Sequence, residues 1–219
     1  MKRSAQTTSP SAGDVLSRLA AQHVTAPVLH RMSREIGRNH ALADKLWESG
    51  NHTARLLACL VDEPGEVTRE QMERWANEFD SWDLVDCACR YLFMYTPYAW
   101  SVCVEWSRRE PEFVKRAGFS QMAYLAIHDR EASDARYAQL LRRVEQEATD
   151  SRHFVKMAVN WALRQIGKRN RALNRKAIAV ARQIAKQDSP AARWIASDAL
   201  RELTSPQVAR RLSRRRGIR

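Results

Sequence analysis

Glycine and proline are scarce, seven of each in 219 residues, about half of the roughly 12% that ordinary chains carry together. A β-sandwich or a glycine-rich nucleotide-binding fold, with its many turns, would need more of both. Long apolar runs are missing too. No stretch approaches the ~18 residues a membrane-spanning helix requires. The opening MKRSAQTTSPSAGD is polar and lacks the apolar stretch of a secretory signal. Cysteine is limited to Cys59, Cys87, Cys89 and Cys103, which form no CxxC pair and sit in helix-like segments. They read as reduced core thiols of a cytoplasmic protein. The six histidines show no HExxH spacing, no Cys/His cluster supports zinc, and neither GxxxxGK nor GxGxxG occurs. His128 and Asp129 are adjacent, and adjacency on a helix turns two side chains apart. With 44% hydrophobic and 28% charged residues, general disorder is excluded.

What is abundant is positive charge, and it is unevenly placed. The formal net charge is +12. Residues 152–219 hold 18 Lys and Arg against three acids, Asp188, Asp198 and Glu202, a net of +15, whereas residues 1–151 carry a net of −3. A basic surface of that density attracts polyanions, nucleic acid first among them. The competing partner, an anionic membrane, needs an amphipathic helix with a strong apolar face, and the tail VARRLSRRRGIR is too polar for it. Arg214, Arg215 and Arg216 taken alone read equally as a solvated tail.

Apolar residues recur at three- and four-residue spacing from residue 14 onward, the helical period, and no segment alternates as a strand does. Thr68 and Gln71 form a capping box for a helix reaching Phe79. Asp80 or Ser81 caps the next, running to about Tyr95. Pro97 and Pro111 sit where first-turn prolines start helices. Asp150 or Ser151 caps a helix ending near Lys168, Asn170 precedes another, and Ser189–Pro190 opens a last one through Leu203. The expected fold is all-α, about a dozen helices of 10–18 residues paired as in an α-solenoid of HEAT or armadillo type. The expected organisation is a disordered segment over 1–13, one domain over 14–203 and a basic tail over 204–219.

Three stretches carry chemistry. In FDSWDLVD, Trp82 and Asp86 are four apart and share a helical face. Asp80 and Asp83 fit the helix start as caps, but Asp86 lies past the first turn, where capping does not explain it. Periodicity alone places Trp82 in a core. In EFVKRAGF, Lys115 and Arg116 interrupt an apolar helix start and read equally as phosphate ligands or as partners in interhelical ion pairs. In SRHFVKMAVNWALRQIGKRN, Lys156, Trp161, Arg164 and Lys168 mix positive charge with one large ring, Arg164, Lys168 and Arg171 continue at helical spacing as a basic stripe, and the helix has no acid after Asp150. That absence favours phosphate binding over a solvated face, with Trp161 still open to a core role.

Together with ARWIASDALREL, these stretches resemble the DNA alkylation repair enzymes of the AlkD type, HEAT-like repeat DNA glycosylases, over about residues 40–203 and in the same order. The resemblance implies a right-handed α-solenoid with a positive concave face. It implies hydrolysis of the N-glycosidic bond of cationic N3- or N7-alkylated purines in duplex DNA, in base excision repair, without base flipping. The family motif puts the carboxylate on Asp86 and aromatic walls on Trp82 and Trp161, with Arg116 holding a phosphate beside the lesion. Lys115, Arg152, Lys156, Arg164, Lys168 and Arg169 would contact the DNA. Neither metal nor cofactor is implied, and a monomer associated with the bacterial nucleoid is expected. The chain departs from the pattern in a shorter region over 14–40, in His153 where Asn is usual, in Met157 where a basic residue is usual, and in Thr53 where an acid is common. A catalytically inactive protein of this fold that binds branched or distorted DNA is the alternative.

Overall fold

The structure, a computed structural model, describes residues 10–214. Most of the N-terminal segment expected to be disordered, and Arg215 and Arg216 of the tail, lie outside the described residues. Within them are thirteen α-helices and no strand: α1 (Ala12–Ala20), α2 (Ala26–Ile36), α3 (His40–Glu48), α4 (His52–Val61), α5 (Arg69–Asn77), α6 (Trp82–Tyr91), α7 (Ala99–Trp106), α8 (Glu112–His128), α9 (Asp134–Gln146), α10 (His153–Gly167), α11 (Arg171–Ile184), α12 (Pro190–Leu203) and α13 (Pro206–Arg214). One 3₁₀ turn, Phe93–Tyr95, follows α6. The all-α expectation stands, with several helices shorter than anticipated.

The helix starts follow local chemistry. Asn39, Asn51, Asn170 and Ser189 each accept a hydrogen bond from the backbone N–H three residues on. Thr68 caps Gln71 N at 3.1 Å. The reciprocal half of that box is absent, because the Gln71 amide donates instead to Asp62 at 2.7 Å. Other starts shift from their expected places. Ser11 forms a full capping box with Asp14, so α1 begins inside the segment read as disordered. Pro111 is the N-cap of α8, and Pro97 precedes α7 by two residues in a turn. Arg152 occupies the N-cap of α10, while Asp150 Oδ1 receives its N–H at 3.1 Å. The basic tail contributes α13, which buries Val208 and Leu212.

The chain divides near Trp75, within α5, into two compact units. In the first, α4 packs on α2 and α3, and the buried rings of Trp47 and Trp75 stack with centroids 3.9 Å apart. Asp62, fully buried, receives His40 Nδ1 and Gln71 Nε2, each at 2.7 Å, and burial pushes its carboxyl above the ordinary value.

The second unit has two layers. Helices α6, α8, α10 and α12 pack side by side as a front layer. Behind them, α7 lies on α8, and α11 lies on α9, α10 and α12. Phe119, Met122, Tyr137, Val159, Leu163, Ile166, Leu173 and Ile195 fill the space between the layers. Helix α8 is the axis of this unit, buried continuously from Val114 to Ala126. Gly118 makes its packing possible: a Cβ there would lie 2.3 Å from the backbone nitrogen of Ser107, at the end of α7. Gly167 plays the same part at the end of α10, where a Cβ would meet Leu203 and Ala177 at 2.7 and 2.9 Å.

Candidate functional site

The front-layer helices each bear polar and aromatic side chains four residues apart. Trp82 and Asp86 come from α6; Arg116, Ser120 and Tyr124 from α8; Trp161 and Gln165 from α10; Trp194, Asp198 and Glu202 from α12. Four residues on a helix return to nearly the same face, so each helix contributes one stripe.

Asp86 stands at the centre of this arrangement. Arg116 Nη2 donates to both carboxylate oxygens, at 3.0 and 2.9 Å, and Ser120 Oγ donates to Oδ1 at 3.1 Å. Arg116 itself is fixed: its Nη1 donates to the Phe154 carbonyl at 3.2 Å, and its guanidinium lies 5.9 Å from the Phe154 ring. The Asp86 side chain keeps 21% of its surface exposed, against 8% for Arg116. Burial raises the Asp86 carboxyl above its ordinary value, and the Arg116 charge and the Ser120 hydroxyl work against that rise. The result is a carboxylate fixed in orientation and still open to solvent on one side.

Aromatic surface flanks it. Trp82, the first residue of α6, is 53% exposed, which overturns the core reading from periodicity. Trp161 is half-buried, edge-on to Tyr124 with centroids 4.8 Å apart. Its Nε1 donates to Gln165 at 2.9 Å when the amide oxygen faces it. Tyr124 lies close enough to Asp86 that the carboxylate adds to the burial that raises the phenol. Further along, Lys156 Nζ sits 4.9 Å from the centroid of Trp194, an exposed ring.

The other cations expected at a DNA surface have partners inside the protein. Lys115 is buried between Glu147 (2.9 Å) and Asp150 (3.3 Å). Arg152 holds Asp150 and the Glu110 carbonyl, each at 2.5 Å. Arg169 donates to the carbonyls of Ala126 and Asp129 and lies 3.9 Å over the Tyr137 ring. Arg164 and Lys168 share Glu202 at 2.8 and 2.7 Å. The α10 stripe is therefore balanced after all, by acids on α12 rather than on its own helix. Among the six, Lys156 makes no ion pair with the described residues.

Residues 19–203 match the model of the DNA alkylation repair enzymes. The chain belongs to that family. A solved structure described as a new family of proteins related to the HEAT-like repeat DNA glycosylases, with affinity for branched DNA structures, is similar in fold. The TM-score is 0.68 and the identity 20%, over 87% of this chain and 88% of that one. No curated protein matches the chain.

In this family member, Ser120, Tyr124 and Trp194 complete the stripes and were not singled out from sequence. Stepping by four from Arg116 reaches Ser120 and Tyr124, and stepping by four from Trp194 reaches Asp198 and Glu202. Among the described residues no group of acids, histidines and cysteines could hold a metal ion, and no helix is long and apolar enough to cross a membrane.

Proposed function

We propose that the protein is a monofunctional DNA glycosylase that releases cationic N3- and N7-alkylated purines from duplex DNA. The observation that carries this reading is Asp86, a carboxylate immobilised by Arg116 and Ser120 yet open on one side, with the exposed indole of Trp82 on its own helical face. An alkylated purine already carries positive charge, so cleavage of the C1′–N bond sends the electron pair to a good leaving group. Positive charge then develops on the sugar. Asp86 opposes that charge and receives a proton from the water that adds to C1′. Trp82 and Trp161 offer electron-rich faces to the cationic sugar. Arg116, buried against Asp86, acts as a positioning residue. On this reading these groups meet the lesion from its sugar–phosphate side, and the base stays in the stack. Lys156 with Trp194 serves the flanking phosphates.

The test is release of 7-methylguanine and 3-methyladenine from methylated duplex DNA, read by chromatography. Asp86→Asn is expected to lower release by about 10²–10³-fold, the range found when one preorganised electrostatic group is removed, with DNA binding retained. Wild-type protein that binds such DNA and frees no base refutes the reading.

A second reading is a binding protein on the same scaffold. It is favoured by the pairing of Asp86 with Arg116 and Ser120, and by the fold neighbour described as having affinity for branched DNA. It predicts tight binding of branched DNA, insensitive to Asp86→Asn, and no base release by the wild type.

A further inference from the structure

The charge that dominates the composition is not on the site just described. Of the six cations expected at that site, all but Lys156 are held by acids or carbonyls. A separate cluster of unpaired cations lies on α11 and α13. Helix α11 carries Arg171, Arg175, Lys176, Arg182 and Lys186, the last just past its end, and α13 carries Arg210, Arg211 and Arg214. All eight are exposed, neither helix contains an acid, and none of the eight forms an ion pair with the described residues.

The fold fixes where they point. Leu173, Ala177, Ala181 and Ile184 of α11 are buried toward α9, α10 and α12, so its exposed stripe faces away from the front layer. Arg171, Arg175, Arg182 and Lys186 fall within one narrow arc of the helix, and the fifteen residue steps from first to last span about 22 Å at 1.5 Å per residue. Helix α13 borders the N-terminal end of this stripe, with Arg171 Nη2 donating to Ser213 Oγ at 2.7 Å. Arg171, Asn174 and Arg175 of α11, with Ala209, Leu212 and Ser213 of α13, line an open hollow of about 280 Å³.

Like charges one helical turn apart repel within a Debye length. A face built from eight such cations is held against its own repulsion, and a polyanion relieves it. The geometry points to duplex DNA: we propose that the outer face of α11 and α13 grips the sugar–phosphate backbone of a second duplex, distinct from the one at Asp86. Six of the eight cations on α11 and α13 are arginines, and guanidinium suits bidentate contact with phosphate. About 22 Å of duplex presents on the order of 13 phosphates, matched in length to the stripe. A membrane is the poorer partner, because the apolar residues of α13, Val208 and Leu212, are buried in the fold and cannot enter lipid. This inference goes beyond the glycosylase reading and rests on it only for the first duplex, the one at Asp86.

The test uses the full-length protein and short undamaged duplexes, one biotinylated and one fluorescent. The wild type is expected to carry two duplexes per chain and to bring the fluorescent duplex onto beads bearing the other. A triple variant, Arg175→Glu, Arg182→Glu and Lys186→Glu, changes exposed positions only. It should keep its circular dichroism and its base-release rate, hold one duplex, stop bridging, and show a salt slope lower by about 0.9 for each phosphate contact removed. Bridging that survives in the triple variant overturns the proposal. So does a wild-type stoichiometry of one duplex that the triple variant retains. One duplex in the wild type and none in the variant overturns the second duplex, and with it DNA binding at the front layer, leaving the outer face as the single DNA site. Retention of the wild type by phosphatidylglycerol vesicles at a salt concentration that releases duplex overturns it in favour of a membrane surface.

Discussion

A single carboxylate decides most of the chemistry proposed for this protein, and its setting makes a prediction about pH. Asp86 must be ionised to oppose a cationic sugar. Burial raises its carboxyl, so base release should fall as pH drops through a value above 3.8, the ordinary aspartate value. Arg116 favours the ionised form, so Arg116→Met should move that acid limb to still higher pH and slow the reaction at neutral pH. Single-turnover rates across pH would check both; an unmoved limb would separate Arg116 from the carboxylate. At this scale the sequence was only partly readable. The spacing of Trp82 and Asp86 was visible, but the exposure of Trp82 was not: a first-turn residue has no preceding turn against which periodicity can judge it. The ion pairs of Arg164 and Lys168 were also hidden. Their partner, Glu202, is 38 and 34 residues away in sequence and belongs to another helix.

Helices were legible wherever their starts carry short polar caps. Asn170, Thr68 and Ser189 announce α11, α5 and α12 through side chains that accept the third backbone N–H. Starts marked only by proline or by an acid were misplaced by a residue or two, because those residues serve at N-cap, at the first turn or just before either. Helix α13 escaped notice because its two buried apolar residues are set among arginines. Of the described glycines, Gly118, within the EFVKRAGF stretch, has the closest approach to a neighbouring element. A methyl group there meets the Ser107 backbone, which cannot swing aside as a side chain can. Gly118→Ala should destabilise the protein by about 3 kcal/mol or more and lower Tm by several degrees. It should also reduce base release beyond the loss of folded protein, because α8 carries Arg116 and Ser120. Thermal unfolding followed by circular dichroism measures the first effect. A Tm equal to wild type would show that α7 and α8 can separate freely.

Over the whole molecule, the sequence located the positive charge in its last third but not on which face. Of the cations expected around the aromatic site, all but Lys156 are held by internal partners, and eight more that no ion pair holds lie on α11 and α13. Such a face makes the native state sensitive to anions. Sulfate should raise Tm more than chloride at matched ionic strength, through binding to the folded chain as well as screening. Differential scanning fluorimetry would show it, and equal curves in the two salts would argue against an anion site. Glu202 has a related consequence on the front layer. Glu202 bridges Arg164 and Lys168, two cations that the proposed reading would otherwise offer to a phosphate. On that reading it is a built-in competitor, a tethered carboxylate that no dilution removes and that would weaken residence on intact duplex. Glu202→Gln should therefore tighten binding to undamaged duplex several-fold, as fluorescence anisotropy would record, and lengthen the time the protein spends where there is nothing to repair.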